Sequence, residues 1–220
     1  MVLVCGIEEA GRGPVIGPLV MVGVLVDDRD EAKLRQIGVK DSKLLTAAQR
    51  DKLSVQIRAI VKDLRVLVIP PEEVDAAVLS SSINLNWLEA LKSAKMINEL
   101  KPEKIILDCP SPNCRAYKEY VQNNLDAPLR KIPLIAEHKA DVNYPIVSAA
   151  SILAKVIRDD EVEKLKAKIG IDFGSGYMAD PLTQHFIRDY VTQHGSIMRK
   201  SWASYTREIS KKKQKLLADF

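Results

Sequence analysis

The chain has 220 residues, 46% of them hydrophobic and 28% charged, the balance of a soluble globular protein long enough to bury a core without disulfides or a structural metal. A net charge of +4 is compatible with a polyanionic partner and equally with an ordinary enzyme carrying spare lysines. The three cysteines, Cys5, Cys109 and Cys114, show no CxxC spacing, which argues against a disulfide framework or a zinc site and for a reducing, cytoplasmic setting.

The apolar start Met1–Gly6 is interrupted by Glu8, Glu9 and Arg12 and lacks a charged leader, so it reads as a strand over Val2–Ile7 rather than a signal peptide. A second strand is predicted over Leu19–Val26; the stretch from Val15 is broken by Pro18 and too short to span a bilayer. Between the strands lies a turn rich in Gly11, Gly13, Pro14 and Gly17. Helices follow over Asp30–Ile37 and Thr46–Val61, the latter with Thr46 as its cap. A third strand, Leu64–Ile69, stops at Pro70 and Pro71. Leu88, Leu91, Ala94 and Ile97 recur at helical spacing within Asn84–Leu100. Lys104–Leu107 is a short strand ending at Asp108, Asn113–Val121 is helical, and Leu129–Ala136 is the fifth strand. A long helix over Asn143–Lys168 has Pro145 in its first turn and a small-residue stretch, Ser148-Ala149-Ala150-Ser151, suited to close packing on a sheet. After the loop Gly174–Pro181, helices over Pro181–Gln193 and Ser204–Leu217 close the chain, the last strongly basic. Strand–helix alternation followed by helices predicts an α/β core with a helical C-terminal region.

Four acids share a setting. Glu8 and Glu9 follow the first strand, Asp108 ends the fourth, and Asp141 stands between the fifth and the long helix. Taken singly, each reads as a solvated loop residue or a cap. Together, beside strand ends where α/β binding sites collect, they suggest oxygen ligands for Mg²⁺ or Mn²⁺, because an acid at the end of an apolar strand needs its charge offset. Two such ions could hydrolyse a phosphodiester without a serine or cysteine nucleophile.

Gly11-Arg12-Gly13-Pro14-Val15-Ile16-Gly17 is not a dinucleotide fingerprint. Its last glycine comes one residue late, Pro14 interrupts it, and a strand rather than a helix follows. A turn whose backbone approaches a ligand, with Arg12 toward phosphate or sugar, fits better. Lys40-Asp41-Ser42-Lys43 reads as a polar loop, and Tyr177 as either a stacking aromatic or a lid over core. His138, His185 and His194 lack metal-ligand spacing, and Trp87 and Trp202 read as packing residues.

These blocks, in this order, resemble the type 2 ribonucleases H, especially the archaeal ones. Gly6 to Pro14 resembles the family's opening motif, and Asp41-Ser42-Lys43-Leu44-Leu45 its second block. Leu107-Asp108 resembles the third. The fourth runs from Glu137-His138-Lys139-Ala140-Asp141 through Tyr144-Pro145 to Lys155, and Gly174-Ser175-Gly176-Tyr177 with Asp180-Pro181 resembles the fifth. The resemblance implies a ribonuclease H-like fold, a mixed five-stranded sheet flanked by helices, with a catalytic domain over 1–178 and a helical extension over 179–220. It implies two-metal cleavage of RNA in RNA/DNA hybrids, and 5′ of single ribonucleotides in duplex DNA, in primer and ribonucleotide removal. Glu8, Glu9, Asp108 and Asp141 take the metal-binding roles. Gly11, Arg12 and Gly13 read the 2′-hydroxyl through the backbone, Lys43 contacts phosphate, and Tyr177 stacks on a deoxyribose. The family ordinarily has aspartate where this chain has Glu8. The added methylene leaves an alternative open, a hybrid-binding protein with impaired catalysis. At the C-terminus Gln214, Leu217 and Phe220 are similar to a sliding-clamp-binding motif, although a frayed basic helix end accounts for them as well. A monomer without membrane association is expected.

Overall fold

The computed structural model describes residues 1–39 and 45–218, with the backbone alone from 215 onward. Lys43, with Asp41 and Ser42, and Phe220 lie outside the described residues, and so does the side chain of Leu217. The chain forms two compact units, each discontinuous in sequence.

The first unit comprises Met1–Ala10, Val20–Val68 and Leu85–Ile157. Its five-stranded sheet contains β1 (Leu3–Ala10), β2 (Leu19–Asp27), β3 (Asp63–Ile69), β4 (Lys104–Asp108) and β5 (Leu134–Glu137), in the spatial order β3-β2-β1-β4-β5. β1 and β2 are antiparallel, whereas β1, β4 and β5 run parallel. Every residue of β2 is buried, as expected for a Val-rich central strand covered on both faces. The helices are α1 (Glu31–Gln36), α2 (Ala47–Ile60), α4 (Leu85–Leu100), α5 (Cys114–Asn123), the single turn α6 (Ala140–Asn143) and the start of α7 (Pro145–Ile169). Thr46 caps α2 in a reciprocal capping box with Gln49, so two otherwise orphaned N–H groups are satisfied locally.

The small residues of α7 do what their size permits. Ile146, Val147, Ala149, Ala150 and Leu153 join the core with Val4, Val22 and Ile106. A Cβ placed on Gly6 would come within 2.9 Å of the Ile146 backbone. Glycine in β1 and alanine and serine in α7 therefore let helix and strand approach to backbone contact, and this close packing holds the strand that carries Glu8 and Glu9.

Two elements differ most from the sequence-based expectation. The fifth strand starts at Leu134, not Leu129, because Ala127–Lys131 turns as a 3-10 helix. Pro133 has no N–H to donate, but its carbonyl accepts from Ile105 at 2.9 Å, so the ladder starts beside it. Pro70 and Pro71 end β3 as expected and also open a helix, α3 (Pro71–Leu79). Pro71 sits at the first helical position with Glu72 and Glu73 in the first turn, a favourable N-terminal chemistry.

The second unit comprises Gly11–Leu19, Ile69–Asn84 and the chain from Arg158 onward. It holds the glycine-rich turn, α3, the later turns of α7, α8 (Pro181–Tyr190) and α9 (Ala203–Ala218). Its core joins Val15 and Ile16 to Val162, Phe173, Phe186 and Ile187. Buried Asp75 of α3 accepts hydrogen bonds from the backbone N–H groups of Lys200 and Ser201 at 2.8 and 2.9 Å. Among the described residues no helix is long and apolar enough to cross a membrane.

Candidate active site

Three of the four predicted carboxylates stand at or beside the ends of two adjacent parallel strands. The register pairs Ile7 with Leu107, so Glu8 and Asp108 each follow a paired residue. The first strand runs on through Ala10, placing Glu8 and Glu9 inside it rather than after it. Side chains alternate along a strand, and accordingly Glu8 is buried while Glu9 is half-buried. Asp108 is the last residue of β4, and its Oδ1 accepts from the Ala140 N–H at 2.6 Å. That bond needs a kink, which Lys139 supplies by adopting a left-handed conformation (φ 61°) just before α6, uncommon for a residue with a Cβ. Glu137 holds the same turn by accepting from Asn143 Nδ2 at 2.7 Å and Tyr144 Oη at 3.3 Å. Asp141, in α6, is thereby fixed and buried.

The electrostatics show that the four acids converge. The Glu8 carboxyl is held well above the ordinary carboxylate range, first by burial and then by the negative charges of Glu9, Asp108 and Asp141; Lys155 opposes them. Lys155 in turn donates to Ser151 Oγ at 2.8 Å. Glu8 Oε2 and Asp141 Oδ2 are buried with no hydrogen-bond partner among the described residues. Buried oxygens of this kind are costly unless a cation or donor meets them. A divalent cation with hard oxygen preference fits this donor set, since all four groups are carboxylates and Mg²⁺ and Mn²⁺ favour oxygen.

The predicted 2′-hydroxyl reader and the predicted stacking residue come together in the second unit. A Cβ placed on Gly13 would meet the Tyr177 ring at 3.6 Å. Tyr177 is partly exposed, its ring over the Arg158 guanidinium at 5.1 Å, while Arg158 Nη2 donates to the Ser175 carbonyl at 2.7 Å. Asp180 ties the loop further, accepting from the Ser175 and Leu182 N–H groups at 2.7 and 2.9 Å. Gly11 and Gly176 both have positive φ, and a Cβ on either would lie 2.6 Å from a backbone oxygen, of Pro18 and Ile16 respectively. Only glycine fits at these two positions.

Arg199 was not legible in the sequence. It is fully buried, yet its guanidinium donates to the carbonyls of Gly11, Arg12 and Gly17, the last two at 2.8 and 3.1 Å. Trp202, expected to be simple packing, stacks on that guanidinium at 4.9 Å and donates its indole N–H to the Gly13 carbonyl at 3.0 Å. No cis peptide occurs among the described residues, and a trans peptide points its N–H opposite its C=O. With the Gly11 and Arg12 carbonyls turned to Arg199, the N–H groups of Arg12 and Gly13 point away from it.

A mixed five-stranded sheet with carboxylates gathered at its parallel strand ends defines a metal-dependent hydrolase with a ribonuclease H-like fold. The family model for ribonuclease HII matches residues 5–205. Ribonuclease HII of Pyrococcus furiosus is 45% identical, the match covering 97% of this chain and 96% of that one. The crystal structure of the Pyrococcus horikoshii ribonuclease H2 superposes with a TM-score of 0.84 at 42% identity, covering 95% of this chain and 98% of that one. Ribonuclease HII from Archaeoglobus fulgidus, solved as a complex with PCNA, superposes with a TM-score of 0.81 at 39% identity, over 91% and 95% of the two chains. The chain belongs to the ribonuclease HII family.

Proposed function

We propose that this ribonuclease H hydrolyses the RNA strand of RNA/DNA hybrids, cuts 5′ of single ribonucleotides in duplex DNA, and leaves 5′-phosphate and 3′-hydroxyl ends. The observation that carries this reading is the convergence of Glu8, Glu9, Asp108 and Asp141, with two of their oxygens buried and unpartnered. Those four side chains would hold two divalent cations, Mg²⁺ or Mn²⁺. When bound, such a pair supplies an activated water as nucleophile and stabilises the leaving 3′-oxygen. The protein's own contribution is to fix its carboxylates: Ala140 N–H orients Asp108, and the Lys139 kink sets Asp141. Lys155 offsets part of the negative charge around Glu8.

Discrimination for RNA falls to the second unit. The N–H groups of Arg12 and Gly13, turned away from Arg199, are donors suited to a 2′-hydroxyl oxygen, the group that separates RNA from DNA. Tyr177, backed by Arg158, offers a flat face for a sugar. Lys43 completes the set as a phosphate contact.

The test is cleavage of a labelled DNA duplex carrying one embedded ribonucleotide, with Mg²⁺, with Mn²⁺ and with EDTA. A cut 5′ of the ribonucleotide with either metal and none in EDTA is expected. A gel shift without product would favour a binder disabled by Glu8. In the same assay Glu8→Asp, which shortens the side chain to the family's usual length, is expected to raise kcat under Mg²⁺ by up to about 10²-fold. An unchanged or lower kcat would show that Glu8 is no handicap.

A sliding clamp is the proposed protein partner, through Gln214, Leu217 and Phe220. Gln214 is exposed on α9, and the Archaeoglobus relative was solved with PCNA. Removal of residues 214–220 is expected to abolish retention on an immobilised clamp while cleavage persists; retention by the truncated chain would reject the tail as the contact.

A further inference from the structure

Cysteine spacing gave no reason to group Cys109, Cys114 and His138, but the fold brings one ligand atom of each within 4.8 Å of the others. They come from three places: Cys109 directly after β4, Cys114 at the first residue of α5, and His138 directly after β5. Cys114 Sγ lies 3.3 Å from His138 Nε2. The other ring nitrogen, Nδ1, lies 3.0 Å from the Cys109 carbonyl. A carbonyl can only accept, so Nδ1 carries the hydrogen, and Nε2 presents its lone pair toward the sulfurs. This is the arrangement by which metal-ligating histidines are oriented, one nitrogen bonded to a carbonyl and the other facing the ion.

The geometry is close to a tetrahedral edge set. With metal–sulfur and metal–nitrogen bonds of about 2.3 and 2.0 Å, tetrahedral ligands stand about 3.5–3.8 Å apart. The Cys114–His138 pair, at 3.3 Å, is within about 0.2 Å of that range, and the other pairs, all within 4.8 Å, need to close by at most about 1.3 Å. The Cys109 thiol donates to the Ser111 carbonyl at 3.4 Å, and the Cys114 thiol faces two acceptors, that carbonyl at 3.9 Å and His138 Nε2 at 3.3 Å. Loss of their hydrogens to a cation would therefore strand no donor. Cys109 is buried, whereas Cys114 is half-buried and His138 exposed, which gives an ion a path in and leaves a fourth position facing water.

We infer that Cys109, Cys114 and His138 form a binding site for one thiophilic divalent cation of the Zn²⁺ type, distinct in chemistry from the all-carboxylate cluster. Sulfur and imidazole select Zn²⁺ over Mg²⁺ or Mn²⁺, so the two sites take different ions from the same solution. Because Cys109 follows Asp108 and His138 follows Glu137, an ion here braces the ends of β4 and β5 to the start of α5.

The test titrates Co²⁺ into the full-length reduced protein and follows thiolate-to-cobalt charge-transfer absorption, which oxygen ligands do not produce. One equivalent of thiolate-bound Co²⁺ is expected, with tetrahedral visible bands and complete displacement by Zn²⁺. Cys114→Ser, at a partly exposed position, should lose the band, and His138→Gln should weaken Co²⁺ binding at least tenfold. Asp141→Asn should keep the band, whatever its effect on cleavage. Absence of the band in the reduced wild-type protein, or its persistence in Cys114→Ser, would overturn the assignment.

Discussion

Replacing Asp141 by asparagine is expected to lower kcat for ribonucleotide-directed cleavage by about 10³-fold or more in saturating Mg²⁺, while raising the melting temperature of the metal-free protein. The two effects share one cause. Asp141 brings a buried negative charge against Glu8, and its Oδ2 has no hydrogen-bond partner among the described residues. Cation stabilisation of transition-state charge is worth several kcal/mol, and each 1.36 kcal/mol is tenfold in rate. Without a cation the same charge only repels its neighbours. Relieving one like-charge contact by about 1 kcal/mol moves Tm by about 2–4 °C in a chain of this size. The sign for Glu8 follows from its raised carboxyl pKa: burial and its acidic neighbours make the ionised form unfavourable in the metal-free fold. That fold therefore loses stability as pH rises from the ordinary glutamate range through the raised value, and regains it as pH falls. Asp141→Asn should flatten this dependence, and Mg²⁺ should flatten it in the unaltered protein. Thermal melts in EDTA and in Mg²⁺, beside single-turnover cleavage, check both halves. A metal-free variant that melts below the parent would mean that Asp141 is held by contacts stronger than the repulsion.

Arg199→Met is expected to lower Tm by about 10 °C or more and to erode discrimination between ribonucleotide and deoxyribonucleotide. Methionine approximates the length of the side chain but removes the donors that bind the carbonyls of Gly11, Arg12 and Gly17. Unmet buried acceptors cost about 1–3 kcal/mol each, and breaking a buried charged network costs about 3–5 kcal/mol in all. That is a large share of a typical folding stability of about 5–15 kcal/mol, and at about 2–4 °C per kcal/mol it accounts for the shift. Arg199→Lys keeps the charge but loses the planar fork that reaches three carbonyls at once. It should melt between the other two, fold, and show a raised KM on the embedded-ribonucleotide duplex with kcat less affected. A variant melting within about 1 °C of the parent would show that the turn holds its own shape.

The carboxylates were legible because their signal is local. Each lies in or beside a short apolar run with strand character, and Glu8-Glu9, Leu107-Asp108 and Glu137-to-Asp141 are contiguous blocks. Helices α2, α4 and α7 were legible for the same reason, through a Thr46 cap, a helical apolar period and a proline at the first turn. The fifth strand was misplaced by five residues because periodicity could not tell a 3-10 turn containing Pro128 from strand. The opening helix at Pro71 was missed because a proline stop and a proline start are the same letter.

The sequence by itself determined the class of chemistry. Oxygen ligands at the strand ends of an α/β sheet, and glycines where no side chain fits, are properties of residue type and order. Only the tertiary structure decided what holds those parts in place. Arg199 and Trp202 act on a turn some 185 residues earlier in the chain. The N–H that meets Asp108 follows the left-handed Lys139, and the Cys109, Cys114 and His138 cluster draws on three separate places in the chain. Contacts of this kind depend on how distant segments pack, and a buried arginine looks the same in sequence as one in solvent. That is why the acids could be picked out from the chain, whereas the groups that position them could not.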